Sequence, residues 1–520
     1  MNIKQNYFKL TTTFLLLIGF ATSSQATHVM GSDIFYRHLT GMQYEIKIVY
    51  YRDCRGIPFA NPSSGTSIRC AVTSGTSIAF SLTLQSIKDV TPSCTGAKSP
   101  CDPQNTFGTG TGVEEHVYVD TIDFNTSPFN TLFNCSDDIV IQTQQCCRNG
   151  AITTGPGNAN FYTYALFNFD IQNFTNSTPT FQIPPIYKAY INQPMVFAIG
   201  AIDTVDHDSL SFEFDEPLSA YKTGISYSGG LSYTQPFTAY YPGSFTPPYS
   251  NPNATPPIGI HLDSLTGTIT ATPVNASQVT VLVIQVKEWR KDASGVPQLI
   301  SKTRRDCQII FESLPDNNLP KLTITNPGIQ PTGSGCVSFI ASDKAFVAPP
   351  PAPVIRNDSL TVTLIGANSH LQMTIDSTIY DSSSSTVYGR VCYDSLWSTY
   401  SDNNIYLHVR DNACNWNSEV SRGIRMNFTR TTGAIGSINN QLIGINVYPN
   451  PVDKDLTITV PKLISNCQVD LVDINGKIVH TQKYDNLSST ILDLSSLSAG
   501  FYNLRVSSDQ GNSYKKIIIK

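Results

Sequence analysis

The chain has 520 residues and a formal charge of −5, with 14% charged side chains against about 25% in an ordinary soluble domain. That length exceeds a single hydrophobic core and suggests three or four domains at about 150 residues each. No basic cluster goes beyond the pairs Arg290-Lys291, Arg304-Arg305 and Lys515-Lys516, which gives no electrostatic footprint for nucleic acid and excludes it as a partner.

Lys4 and Lys9 precede the apolar run from Phe14 to Phe20, and Ser24-Gln25-Ala26 has a small-x-small pattern. Residues 1–26 are therefore expected to be a signal peptide cut after Ala26, with export to the periplasm as the first step. No later run reaches about 18 consecutive apolar residues, so association with the outer-membrane surface is expected by attachment and not by a span. Twelve cysteines in an exported chain favour disulfides over metal. Spacing leaves the pairing open: Cys94 could bridge to Cys101, Cys135 to Cys146 or Cys147, and Cys392 to Cys336 or Cys414. Zinc is disfavoured, because no Cys-x2-Cys pair exists and His116 stands alone.

Residues 27–151 are expected to form a Cys-rich β domain. It opens on a hairpin, Ile34 to His38 and Tyr44 to Cys54, turning around Gly41. The segments Thr27-His28-Val29-Met30-Gly31-Ser32-Asp33-Ile34 and Tyr50-Tyr51-Arg52-Asp53-Cys54 resemble the start of large Bacteroidetes surface proteins of gliding-motility or adhesin-like architecture. His28 and Arg52 are read as half-exposed strand residues. Gly108-Thr109-Gly110-Thr111-Gly112 lacks the spacing of a phosphate cradle.

A second β-sandwich is expected over 152–315. Ala201 to Phe212 and Ile258 to Thr270 resemble cadherin-like and immunoglobulin-like surface modules. Asp203, Asp206 and Asp208 could supply oxygen ligands to calcium, which takes six to eight. His207, however, stands where the family pattern has glycine, and an acidic turn feeding a strand accounts for the same residues. Beyond them, Val279 to Val286 is a β-branched strand running into Lys287-Glu288-Trp289-Arg290. Between these strands, 221–252 is almost uncharged and rich in aromatic residues. Tyr233, Tyr240, Tyr241 and Tyr249 are its candidate contacts for a glycan or a cell-surface protein, since aromatic faces on a Gly- and Ser-rich loop give large contact area at small entropic cost. The same rings could instead pack on their own sandwich.

Residues 316–430 read as a second immunoglobulin-like domain, with Trp397 and Trp416 as core aromatics. In Ile405-Tyr406-Leu407-His408-Val409-Arg410 alternation puts Tyr406, His408 and Arg410 on the solvent side. Pro349-Pro350-Pro351-Ala352-Pro353 is a stiff extended segment, and 431–444 is a Gly-, Ser- and Asn-rich linker.

The stretch 445–520 carries short strands at 456–460, 468–472, 478–479, 501–506 and 516–519, with Asn475-Gly476 as a hairpin turn. Val447-Tyr448-Pro449-Asn450-Pro451, Val472-Asp473-Ile474-Asn475-Gly476-Lys477-Ile478-Val479, Leu497-Ser498-Ala499-Gly500-Phe501-Tyr502 and Tyr514-Lys515-Lys516-Ile517 follow in order. They resemble the type A C-terminal sorting domain of Bacteroidetes type IX secretion substrates. That resemblance implies recognition by the type IX machinery, delivery to the outer surface or the medium, and Pro449, Asn450, Pro451, Asp473, Gly476, Lys477, Gly500, Tyr502, Lys515 and Lys516 as sorting-motif residues.

The fold expected is all-β: several immunoglobulin-like sandwiches in series and a small terminal β-sandwich. Metalloprotease, serine-hydrolase and P-loop signatures are absent from the sequence. The reading is a non-catalytic adhesin or structural surface module without a cofactor, calcium aside. A secreted glycosidase or peptidase, whose carboxylates meet only in the fold, is the alternative.

Overall fold

The computed structural model describes residues 29–428 and 445–520, less the stretches 57–60, 72–76, 93–97, 105–111, 136–137, 169–174, 186–187, 293–294, 314–316, 326–329, 331–332, 348–354, 357, 401–402, 414–416, 427, 474–476 and 509–510. The expected signal peptide with Ala26, His28, Cys94, most of the Gly108–Gly112 run, the Pro349–Pro353 segment, Cys414, Trp416, the expected linker 431–444 and Gly476 lie outside the described residues. Apart from the 3-10 turns Pro62–Gly65, Phe129–Asn134 and Trp397–Thr399, all described regular structure is β-strand. The chain divides into two compact units, a body Met1–Arg430 and a tail Thr431–Lys520.

The body is organised on the 16-residue strand Pro297–Glu312 of a 14-stranded sheet. Val279–Lys291 pairs with it antiparallel along its length, Lys188–Tyr190 pairs parallel, and Phe161–Phe167 and Val29–Thr40 pair with its central residues. The first hairpin is as expected, Val29–Thr40 against Gln43–Asp53, with Gly41 at φ +55 in the left-handed region that glycine favours. One sheet therefore crosses the boundary expected at 151/152, and the strands on its two sides share hydrogen bonds.

What lets this central strand sit inside is charge pairing. Arg304 and Arg305 are one of the basic pairs of the sequence, yet they are 1% and 0% exposed. Arg305 donates to both oxygens of Asp33 at 3.0 and 2.7 Å, and Arg148 grips the neighbouring Asp306 at 2.8 and 2.6 Å. Arg304 reaches the Glu216 carbonyl oxygen and lies 3.5 Å from Asp215. Such pairs contribute little net stability against apolar substitutes, but breaking one from a single side costs about 3–5 kcal/mol.

Three large apolar cores, beside two smaller clusters, lie among the described residues of the body. Ile34, Tyr36, Ile46, Ile48, Phe161 and Phe167 fill the first, and Phe197, Phe212, Leu282, Ile284, Ile309 and Phe311 the second. In the third, Lys321–Ile324, Gly335–Lys344, Leu371–Tyr380 and Ser384–Tyr393 form one sheet, and Leu360–Ile365, Asn404–Asp411 and Glu419–Arg425 another. The two enclose Phe339, Val391, Trp397 and Leu407. Tyr406 corrects the alternation reading: its ring is fully buried and belongs to the second core. His408 is also mostly covered, with Nε2 3.4 Å from Glu419.

The disulfides among the described residues are Cys54–Cys101, Cys70–Cys135, Cys146–Cys147 and Cys336–Cys392. The last was one of the alternatives expected. The Cys94–Cys101 and Cys135–Cys146/147 pairings are replaced, because the sheet brings Cys54 and Cys70 to Cys101 and Cys135 from 47 and 65 residues away. Arg52 is likewise buried rather than half-exposed: its guanidinium bonds Glu114 at 2.7 Å and the Gly56 carbonyl oxygen at 2.6 Å. His116 has the same glutamate at 3.0 Å.

The tail is a five-stranded sheet, Asn446–Tyr448, Asp455–Val472, Ile478–Asp493, Gly500–Ser508 and Gly511–Ile519. The runs at 456–460 and 468–472 are halves of one 18-residue strand whose register shifts between Thr459 and Ile464. Both halves feed one core, Leu456, Ile458, Ile464, Val469 and Leu471 with Leu504, Val506, Ile517 and Ile519. Each such buried aliphatic side chain contributes about 1.5–3 kcal/mol.

Candidate functional site

The acidic turn lies between strands Ala201–Ile202 and Ser209–Phe214. Asp203 is 1% exposed, and its carboxylate accepts backbone N–H groups from Val205 at 3.1 Å, Asp206 at 3.0 Å and Asp208 at 2.5 Å. It therefore folds the turn. His207 itself adopts φ +56, the left-handed conformation for which glycine was expected. Its ring stacks on Tyr400 at 3.7 Å and 7°, and its Nδ1 is 3.1 Å from the Asp203 carbonyl oxygen, contacts that offset the backbone strain.

Behind the turn, Asp203, Asp208 and Glu288 bring carboxylate oxygens within 4.8 Å of one another. Glu288 replaces Asp206 in this trio; Asp206 instead accepts the Ser177 N–H at 2.9 Å. Arg290 donates from Nε to both Asp208 oxygens at 2.9 Å and from Nη2 to Oδ2 at 2.5 Å, and it also holds Asn176 Oδ1 at 2.9 Å. Glu288 is completely buried; Oε2 accepts from Asn176 at 2.7 Å and Ser301 at 2.5 Å, while Oε1 has no hydrogen-bond partner among the described residues. Burial, and next the Asp203 charge, drives Glu288 well above the usual carboxylate range. Burial pushes Asp203 up to about 6 and raises Asp208, the latter partly offset by Arg290. Calcium would need six to eight oxygens. Here the Asp203 and Asp208 oxygens are engaged by N–H donors and the Arg290 guanidinium supplies the positive charge, so the donor set fits an arginine and a retained proton better than a divalent ion.

In front of the turn is a cavity of about 320 Å³ lined by Asp203, His207, Tyr400, Trp397, Asn368 and Gln182, among others. Asp203 is its sole carboxylate among the described lining residues. A second buried acidic group lies in the third part of the body. Asp343 is 3% exposed and pushed up to about 7 by burial and by the Asp411 and Asp358 charges, and Asp411 is pushed up to about 6 by burial.

The aromatic loop is fixed at several points. Tyr221 donates to the Ala71 carbonyl oxygen at 3.2 Å, Tyr227 to that of Val281 at 2.7 Å, and Tyr241 to Gln235 Oε1 at 2.9 Å; Phe237 is buried. Of the four tyrosines named from sequence, Tyr240 and Tyr241 are half-buried, and Tyr233 and Tyr249 are exposed. Tyr249 stacks on Phe245 with ring centroids 4.4 Å apart, and each ring remains 42% exposed.

In the tail, the motif residues serve the fold. Asn450 donates to the Lys516 carbonyl oxygen at 2.7 Å and accepts the Ile518 N–H at 2.9 Å, so its amide clips the Pro449-Asn450-Pro451 segment to the last strand. The Asp473 carboxylate accepts the Lys477 N–H at 2.9 Å and closes the turn. Tyr502 donates to the Ser498 carbonyl oxygen at 2.8 Å. Gly500 starts the fourth strand, Lys516 places its ammonium 4.3 Å from the Phe501 ring centroid, and Lys515 is exposed.

A small β unit at the C-terminus, ordered by these motifs, defines an export label. Residues 446–520 match the family described as a secretion system C-terminal sorting domain. The match indicates secretion by the type IX system, with interaction with its machinery and delivery to the cell surface or extracellular space. A comparison with curated proteins yields no match. Among the described residues no helix is long and apolar enough to cross a membrane.

Sequence reasoning missed Glu288, Arg290 and Tyr400. Thr280, Leu282, Ile284 and Val286 face inward in Val279–Lys291. Extending that alternation two residues places Glu288 on the same buried face.

Proposed function

We propose that this protein is a non-catalytic adhesin, exported by its tail and presenting the body as a glycan-binding surface module. The observation that supports this most is the Phe245–Tyr249 pair, two exposed stacked rings on a loop tied to the body by Tyr227, Tyr241 and Phe237. Rings held in advance offer apolar area to a sugar face with little ordering cost on binding. Tyr233, 37% exposed on the same loop, is a further candidate contact. The immunoglobulin-like and cadherin-like resemblance of the body agrees with this role. The hydrolase alternative would need a second carboxylate facing Asp203, which is the sole carboxylate among the described residues lining that cavity.

The test is binding of the secreted protein to a panel of immobilised glycans, with a Phe245→Ala/Tyr249→Ala variant beside it. Loss of about 2–3 kcal/mol on removing both rings is expected. Equal binding by the variant, or turnover of a glycan by the wild type, would overturn the proposal.

A further inference from the structure

We propose that the body also holds a binding site for an aliphatic carboxylate, where its middle and third parts meet. A cleft of about 430 Å³ opens between strand Met195–Ala198, the loop at 254–257 and strands Lys321–Ile324 and Glu419–Arg425. That volume is in the range of small-molecule sites, which favour such junctions. Pro194, Val196, Pro257, Leu319 and Leu322 make its floor aliphatic, and no aromatic ring is among the described lining residues.

The rim has the opposite chemistry. Lys321, Lys344 and Arg422 line the cleft and are exposed. None of the three has an ion-pair partner among the described residues. No carboxylate is among the described lining residues, so three positive charges gather on a chain whose net charge is −5. The hydroxyl groups of Thr255 and Ser342 stand on the same lining and add donors.

Each half of the site selects one half of a ligand. The floor gains from burying an aliphatic body, at about 25 cal/mol per Å². The rim gains from an anionic head, and the Arg422 fork suits the two oxygens of a carboxylate. A sugar lacks the apolar body this floor would cover, and its usual aromatic platform is missing here. A nucleotide base would find no ring to stack on. A single-chain aliphatic carboxylate satisfies both halves.

The experiment titrates the full-length secreted protein calorimetrically with decanoate below its micellar concentration, and with decanol as the same chain without charge. One decanoate per protein is expected, weakening as sodium chloride is added. Replacing the rim (Lys321→Gln, Lys344→Gln and Arg422→Gln together) should weaken decanoate on the order of ten-fold, with decanol at least that much weaker throughout. Ala254→Trp, which fills the cleft from the loop at 254–257 and keeps the charges, should abolish decanoate binding; near-ultraviolet circular dichroism checks that each variant keeps the wild-type fold. Decanol binding as tightly as decanoate, undiminished binding by either variant, or no decanoate binding at all would overturn the proposal.

Discussion

Replacing Arg290 by Gln tests whether the acidic turn is held by an internal cation. The guanidinium makes three hydrogen bonds to Asp208, one to Asn176 and one to the Thr175 carbonyl oxygen, and the Arg290 and Asp208 side chains are 21% and 6% exposed. Removing one partner of a buried pair costs about 3–5 kcal/mol; the partial exposure of Arg290 places the expected loss near the lower end, about 3 kcal/mol at pH 7.5. The loss should depend on pH. Asp203 releases its proton at about 6 in the fold against 3.8 in the free side chain. Between those values the folded state keeps a proton that the unfolded state has lost, so stability falls as pH rises through the window. Without Arg290 the carboxylates hold their protons more tightly still, so at pH 5 fewer charges are left uncompensated. The loss at pH 5 should then be smaller by about 1 kcal/mol. Urea unfolding at both pH values, followed by tryptophan fluorescence, measures this; Trp289 donates to Ser211 Oγ at 2.7 Å beside the site. An equal loss at the two pH values, or none at either, would refute the reasoning.

Other consequences follow from the same structure. Asp343→Asn removes a buried charge whose carboxyl is pushed up to about 7; urea unfolding should show a gain of up to about 4 kcal/mol at pH 8 and up to about 2 at pH 5. Asn450→Ala unfastens two hydrogen bonds in the tail and should lower its stability by about 1–2 kcal/mol in thermal unfolding of a secreted-length chain. Calcium titrated calorimetrically at pH 7.5 should give no heat from the acidic turn; stoichiometric heat that disappears in Glu288→Gln would show that the ion displaces the Arg290 arrangement.

The all-β class was legible because period-two runs such as Ile46, Ile48 and Tyr50 alternate with turn residues, and the first hairpin follows from Gly41 alone. The tail was legible for the same reason, with four ordered motifs added. The central strand Pro297–Glu312 was not. Its Thr303-Arg304-Arg305-Asp306 run looks solvated, and only Asp33, Arg148 and Asp215, brought from up to 272 residues away, allow it to be buried. Pairing over such distances leaves no local trace, which is also why Cys54–Cys101 and Cys70–Cys135 escaped spacing arguments. At the candidate site, the sequence located the acidic turn but named Asp206 where Glu288 belongs. Neighbouring positions suggested a local ligand set, whereas a turn and a strand some 80 residues apart build it. In the aromatic loop composition was informative about the residues but silent on orientation: hydrogen bonds turn Tyr227 and Tyr241 inward and leave Phe245 and Tyr249 outside.

The most direct measurement joins residues 446–520 to a neutral reporter carrying a signal peptide and follows it in a host with a working type IX system. The reporter should appear on the cell surface or in the medium, and should stay in the periplasm when those residues are deleted. Retention of the tailed reporter in the periplasm, or equal release without the tail, would contradict the account.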